Sequence, residues 1–369
     1  MKSLINLLSW QPGFSGFDTF IKNVIPLLPG EKLQINSEGI VEAFHEDKWL
    51  PLSPAKAKNL YLNVLQRFSL LQFGVDINQI LINKKLLLRD YDVIYSPFFD
   101  SLLGVMNIPQ LITCPDLTPL RSPISYRSYL RYKYFQPIHL SLATKITTYS
   151  HYVSDQLIDI GFNSKNLEVI PCGINTKRTK VEKPFSEDLL VIARHDTNKN
   201  LLFLLECFTE FQKQKPSWMG TLRIIGKFGK QTFLMKKLIK KLPKPNQIKL
   251  IESLDYNKLV DFIRSSYALI SASKEEGFDY PILEAKAEGI PTLISDIKVH
   301  REFHENTSLF FSIDNGPLPF CFMLNSILKD NSLWSELSSS GYKLAQEMTV
   351  KKQADHILNT LNNLGSNGI

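Results

Sequence analysis

Short apolar runs alternate with stretches of helical periodicity along most of this chain. The runs SLINLLS (3–9), DVIYS (92–96), PQLIT (109–113), KITTYS (145–150) and LEVIP (167–171) read as strands. So do DLLVIAR (188–194), TLRIIG (221–226), IKLIES (248–253), YALISAS (267–273) and PTLISD (291–296). Between them, Asn200 to Lys213 and Asp255 to Ser266 place apolar residues on one helical face. Strand–helix alternation of this kind predicts an α/β protein with parallel sheets and right-handed crossovers.

The pattern breaks at KRTKVEKPFSE (177–187), which is polar, charged and interrupted by a proline. It reads as a linker between two Rossmann-like halves, residues 1–176 and 188–346. Residues 347–369 hold MTVKKQADHILNTLNNL, an amphipathic helix with Val350, Ala354, Ile357, Leu358 and Leu361 on one face. It lies beyond the last strand of the second half and is expected to pack across to the first. Residues 30–90 are patterned less clearly. EGIVEAFHEDKWLPL reads there as a β-hairpin insertion, and the segment after it as helical.

Length and composition fit this division. A chain of 369 residues is comfortable for two domains, and 44% hydrophobic residues supply sizeable cores. Cys114, Cys172, Cys207 and Cys321 have no zinc or redox spacing and read as reduced structural thiols, hence a cytoplasmic setting. MKSLINLLSWQPG lacks a small-residue cleavage site and reads as a first strand rather than a signal peptide. No apolar run reaches the length of a membrane-spanning helix. The formal charge of +7 permits anionic partners without choosing among them.

The candidate chemistry gathers in SKEEGFDYPILEAKAEGIP (273–291). In open α/β sheets, ligands bind beyond the carboxyl ends of the strands. Here YALISAS is the strand, KEEGFDY the loop at its carboxyl end and PILEAKAE a short helix, with Pro281 suited to its first turn and Gly289 to its cap. The unpaired amides at the helix start suit an anion. Glu276 in the loop and Glu284 one turn into the helix suit hydroxyls. A phosphate flanked by two sugars would satisfy all of them. A second anion site follows DLLVIA, where Arg194 offers a forked donor and Lys199 a point charge.

ARHDTNKN resembles the G-R-x4-K-N segment of the retaining GT-B glycosyltransferases of family 4, the glycosyl transferases group 1. SKEEGFDYPILEAKAEGIPTLISD resembles their E-x7-E segment, and FSGFDTF, PDLTPLRSP, SHYVSDQL and VIPCGIN resemble further family segments in the family's order. The resemblance implies a GT-B fold, two Rossmann-like parallel-sheet domains facing a cleft with the last helix crossing back to the first domain. It implies transfer of a sugar from a nucleoside-diphosphate sugar, GDP- or UDP-linked, to a glycan or lipid-linked acceptor, with retention, in surface polysaccharide or lipopolysaccharide biosynthesis. Arg194, Lys199 and Glu276 would form the catalytic set, the first two meeting the diphosphate and Glu276 the donor sugar. Glu284 would hold the ribose. Gly16, Gly277, Phe278, Asp279, Tyr280, Ile282 and Leu283 would line the donor, and Asp116 the acceptor side. The resemblance implies neither metal nor cofactor. Four positions depart from it. Asp279 and Tyr280 stand where the family has glycine and leucine, Pro115 where it has histidine, and Ala193 where it has glycine. A side chain at 279 would crowd the donor sugar or add a contact to it.

Two other classes stay open. A nucleotide-sugar epimerase on the same fold would isomerise the donor without acceptor, and a non-catalytic nucleotide-sugar or glycan-binding protein would bind without turnover. His300 reads as a surface histidine, Glu302 as a local cap, Asn200 as a helix cap and Ser150 with His151 as another. SYRSYLRYKYF (125–135) and KKLIKKLPK (236–244) interleave basic with apolar residues, which suits a half-buried helix, a solvated face or peripheral contact with the inner face of a membrane. Neither resembles a nucleic-acid motif, and no nucleic-acid partner is expected.

Overall fold

The structure is a computed structural model, and it describes residues 1–8, 10, 16–35, 41–45, 48–51, 91–99, 107–175 and 179–366. The chain divides into two compact units. One comprises residues 1–120, 125–171 and 350–369, the other residues 121–124 and 172–349.

The first unit is built on strands β1 (Ser3–Leu7), β2 (Glu31–Ile35), β3 (Val41–His45), β4 (Lys48–Pro51), β5 (Val93–Ser96), β6 (Gln110–Cys114), β7 (Lys145–Thr148) and β8 (Leu167–Val169). Their spatial order is β4-β3-β2-β1-β5-β6-β7-β8. From β2 to β8 every pairing is parallel, while β2, β3 and β4 pair antiparallel at one edge. The hairpin expected within residues 38–52 is thus β3–β4, appended to a parallel sheet. The helical reading of the segment after it falls outside the described residues. Helix α1 (Gly16–Asn23) follows β1.

The central strands are buried on both faces, which is why they read as continuous apolar runs. Ile5, Leu7, Val93 and Tyr95 form one core with Phe20, Ile21 and the final helix. That helix, Val350–Ser366, contributes Val350, Ala354, Ile357 and Leu361, with Leu358 partly buried beside them. Ile357 and Leu361, fully buried, each contribute about 1.5–3 kcal/mol.

The second unit orders its strands β9 (Leu189–Ile192), β10 (Leu222–Ile225), β11 (Ile248–Ile251), β12 (Ala268–Ser271), β13 (Thr292–Ser295) and β14 (Leu309–Phe311) as β11-β10-β9-β12-β13-β14, all parallel. This is the doubly wound order, in which the chain direction of winding reverses between β9 and β12. The helices that follow those two strands pack on opposite faces of the sheet, the arrangement at which ligands bind beyond the strands' carboxyl ends in such folds. Helix α2 (Leu201–Gln214) follows β9, α3 (Tyr280–Ala287) follows β12 and α4 (Lys298–His304) follows β13. Aromatic and aliphatic residues of α2, including Phe208 and Phe211, pack on one sheet face with Trp218 and Trp334. Ile282 and Ala285 of α3 pack on the other with Leu190, Ile225 and Ile294.

Within residues 177–187, read as a linker, the described part lies in this second unit, where the Val181 amide donates to Glu288 O at 3.0 Å. Strands β2 and β14 were not among the runs singled out by pattern. All four cysteines are buried and unbridged. Among the described residues no helix is long and apolar enough to cross a membrane.

Candidate functional site

Two loops meet at the reversal between β9 and β12. The first leaves β9 and runs through Arg194 to a short turn, Thr197–Lys199, before α2. The second leaves β12 and runs from Ser273 to Asp279 before α3. They are stitched by backbone, since the Lys274 amide donates to Asn198 O at 2.8 Å. Asn200 ends the first turn with φ +53°, a left-handed conformation that asparagine tolerates, and starts α2 without a side-chain cap.

Lys199 stands at the centre. Its ammonium lies 2.6 Å from Glu276 Oε1 and 3.0 Å from Asp279 Oδ1. Asn198 Nδ2 donates to Glu276 Oε1 at 3.4 Å. Asp279 Oδ2 accepts from Ser271 Oγ at 2.5 Å and faces His300 Nε2 at 3.2 Å. His300 Nδ1 lies 2.9 Å from Ser295 O. Three strands therefore feed one buried polar network: β9 through Lys199, β12 through Ser271, Glu276 and Asp279, and β13 through Ser295 and His300.

The electrostatics follow from burial and pairing. Burial disfavours the Lys199 charge, but Asp279 and Glu276 outweigh it and hold the ammonium above its usual range. Burial opposes ionisation of Asp279 too, yet Lys199 and His300 hold its carboxyl well below the usual range. Glu276 goes the other way. Burial raises it, Lys199 opposes, and the neighbouring Asp279 charge adds to the rise. Glu284, on the second turn of α3, is pushed up to about 7 by burial and by Asp279. Among the described residues its carboxyl has no hydrogen-bond partner. A carboxyl so placed can both accept from and donate to a vicinal diol.

The structure separates the remaining sequence candidates. Arg194 is exposed, and its Nε pairs with Asp196 Oδ2 at 3.3 Å rather than joining Lys199. Gly277 is buried in the second loop. Phe278 packs on Phe303, ring centroids 4.9 Å apart. Tyr280 donates from its hydroxyl to Gly173 O at 2.7 Å, and Ile282 and Leu283 are core. Gly16 opens α1 in the first unit. Asp116, in the loop after β6, accepts from the Thr118 amide at 2.9 Å and so fixes that loop. Ser150 caps the helix His151–Asp159 by accepting from the Val153 amide. The sequence reading of His300 as a surface residue is corrected: it is fully buried, because the start of α4 turns it under the second loop. Asn198 and Ser271 also belong to the network and were missed. A serine ending a buried apolar strand was their one visible signal. Among the described residues no three His, Cys, Asp or Glu side chains group to hold a metal ion.

Residues 174–343 match the family model described as Glycosyl transferases group 1, and residues 53–178 match that of Glycosyltransferase Family 4. The O-antigen chain mannosyltransferase RfbU of Salmonella typhimurium is 23% identical over 56% of this chain and 57% of its own length. The chain thus spans little more than half of that curated relative. Among solved structures, sucrose-phosphate synthase from Thermosynechococcus elongatus superposes with a TM-score of 0.75 at 15% identity, covering 99% of this chain and 100% of that one. Anabaena HepE in complex with UDP-glucose gives 0.71 at 16% identity, covering 98% and 100%.

Proposed function

We propose, from the premise that this fold is that of the GT-B glycosyltransferases, that the chain is itself a glycosyltransferase. It moves a sugar from a nucleoside-diphosphate sugar to a glycan or glycolipid acceptor with retention at the anomeric carbon. The observation that carries the reading is the position of Lys199, Glu276 and Glu284. A buried ammonium pairs with Glu276 beyond the carboxyl ends of the adjacent strands β9 and β12, and Glu284, a buried carboxyl without a partner, stands on the helix that follows β12.

In this reading Glu284 binds the ribose hydroxyls and Glu276 the donor sugar. Lys199 stabilises the diphosphate as its charge develops on leaving. Fixed positive charge in a water-poor site does this without reorganisation in the transition state. Arg194 adds charge from the rim by exchanging Asp196 for phosphate. Positive charge for the diphosphate comes from the protein, and the reaction needs no metal. UDP and GDP are the leading nucleotides. The RfbU relative is described as an O-antigen mannosyltransferase, and this supports a role in surface polysaccharide or lipopolysaccharide assembly at the inner face of a membrane. Gly16 and Asp116 belong in this reading to the donor loop and the acceptor side.

A thermal-shift panel of UDP, GDP, CDP and ADP tests it first, because a bound nucleotide raises the unfolding temperature selectively. One nucleotide should stand out. The matching sugar nucleotide should then give transfer or slow hydrolysis. Binding without either across a broad panel of donors and acceptors would overturn the enzyme reading.

A further inference from the structure

We infer that Asp279 and His300 form a buried, hydrogen-bonded pair that positions Lys199, an assignment that rests on the reading of this site as a nucleotide-sugar site. Asp279 adopts φ +66°, a conformation glycine takes freely and an aspartate takes at a cost. Its side chain must return that cost. Asp279 Oδ1 faces Lys199, while Oδ2 faces Ser271 and His300, and the side chain is 2% exposed. Both oxygens are thus engaged by protein. The side chain does not reach outward to a donor hydroxyl, as the sequence left open.

Hydrogen-bond polarity fixes the proton on His300 Nδ1. Nδ1 faces Ser295 O, which can only accept. It also lies 3.3 Å from Ser295 Oγ, whose own proton goes to Ser273 O. Nδ1 therefore carries a proton. Nε2 faces Asp279 Oδ2, the oxygen that also accepts from Ser271 Oγ. His300 is thus tied between Ser295 and Asp279, behind the carboxylate that meets Lys199. Glu284 and His304 sense the Asp279 charge as well.

With glycine at 279 the ammonium would lean on Glu276 alone, and a buried histidine would lose its partner. With Asp279 the ammonium is held between two carboxylates of one loop. The pair is a positioning device: neither residue touches the donor, and both fix the group that does.

The test uses the full chain with Asp279→Asn, His300→Gln and the double variant. Asp279→Asn removes one negative charge beside a phosphate-binding ammonium. It should bind the nucleoside diphosphate severalfold more tightly while kcat falls about tenfold. A residue that merely holds the fold would weaken both. The double variant should lose no more than about twofold in kcat beyond Asp279→Asn, because His300 acts through that carboxylate. Affinity and kcat both within about twofold of the parent in Asp279→Asn would overturn the assignment. Should that variant not fold, Asp279→Gly, which relieves the backbone, is read the same way. If the parent protein binds no nucleoside diphosphate, the nucleotide-sugar reading fails, and NMR decides the pair separately. A slowly exchanging Lys199 ammonium signal lost in Asp279→Asn supports it. An unchanged Lys199 signal overturns it.

Discussion

The Lys199 ammonium lies 2.6 Å from Glu276 Oε1, and this contact joins the ends of β9 and β12 where the sheet's winding reverses. Both side chains are mostly buried, so the contact is shielded from the screening that makes surface ion pairs weak. Removing one partner leaves the other charge buried and unpaired.

Lys199→Met therefore strands Glu276 and Asp279. It is expected to depress turnover by about 10²–10³, the range for losing one preorganised donor to a developing oxyanion. It should also destabilise the second unit by about 3–5 kcal/mol, as breaking a buried pair does. Urea unfolding followed beside initial rates checks both effects. Lys199→Met with Glu276→Gln should recover part of the stability and none of the turnover. A near-parental rate in Lys199→Met would remove this lysine from the chemistry.

Glu284 makes a prediction about pH. Its carboxyl is pushed up to about 7 from an ordinary 4.5, so the folded protein binds that proton more tightly than the unfolded chain. The resulting stability is fully present below the ordinary value and is lost as pH rises through about 7. A shift of this size corresponds to about 3 kcal/mol between the two ends of the window. Buried histidines such as His304 are held low by burial and titrate in the same region with opposite sign, so the parent curve alone is not decisive. The difference between parent and Glu284→Gln is. Glu284→Gln should gain stability relative to the parent between pH 5 and pH 8, and Glu284→Ala should weaken nucleotide binding about tenfold or more. Parallel stability curves for parent and Glu284→Gln would contradict the raised carboxyl.

The end of α3 gives a prediction that depends on backbone alone. Gly289 follows the helix at φ +78°, its amide donating to Lys286 O at 2.9 Å. A β-carbon there would sit 2.5 Å from Lys180 Cγ, the flexible part of a side chain that can move. The backbone cost cannot move. Gly289→Ala should lose about 1–2 kcal/mol in urea unfolding, and Gly289→Asn less, because asparagine tolerates the left-handed region. Equal losses in the two variants, relieved together by Lys180→Ala, would place the cost in the clash instead.

The apolar runs announced all the strands that flank the site, because β9, β12 and β13 are buried on both faces and their sequences leave little else to be. Spacing brought Lys199, Glu276 and Glu284 forward for a similar local reason: loop, helix start and first turns are set within a few residues. The rest of the network is non-local. Ser271 and His300 meet at Asp279 from different strands, and no run or spacing encodes that meeting. His300 follows Asp296 in a polar stretch, SDIKVHRE, whose outward members hide one inward turn. Tyr280 shows the converse. Its motif position suggested a ligand contact, but its hydroxyl reaches Gly173 O in the segment entering the unit. Arg194 was paired with Lys199 on spacing, yet the turn after β9 brings Asp196 nearer.

The helix Thr232–Ile239 carries the prediction for membrane contact. From Lys227 to Ile251 the chain has no acidic residue. Met235 is buried and Leu238 and Ile239 pack on the core, so the helix has a defined inner face. On its outer side Phe233 is 75% exposed, with Leu234 also exposed. Lys236 and Lys237 are exposed on the helix, and Lys240 and Lys241 just beyond it. In the first unit, Tyr126 and Tyr134 are likewise exposed beside Arg127 and Lys133, whereas Tyr132 is buried. An apolar ring within a basic surround suits the headgroup layer of an anionic bilayer, where each lysine contributes about 1 kcal/mol. The protein should co-sediment with phosphatidylglycerol-rich vesicles and not with pure phosphatidylcholine, and added salt should weaken the binding. Replacing Lys236, Lys237, Lys240 and Lys241 together by alanine should reduce binding at least a hundredfold, with nucleotide affinity unchanged. Phe233→Ser should cost less and leave the salt dependence as it was, because it removes insertion and no charge. Equal binding to neutral and anionic vesicles, or none to either, would count against the basic face as a membrane contact.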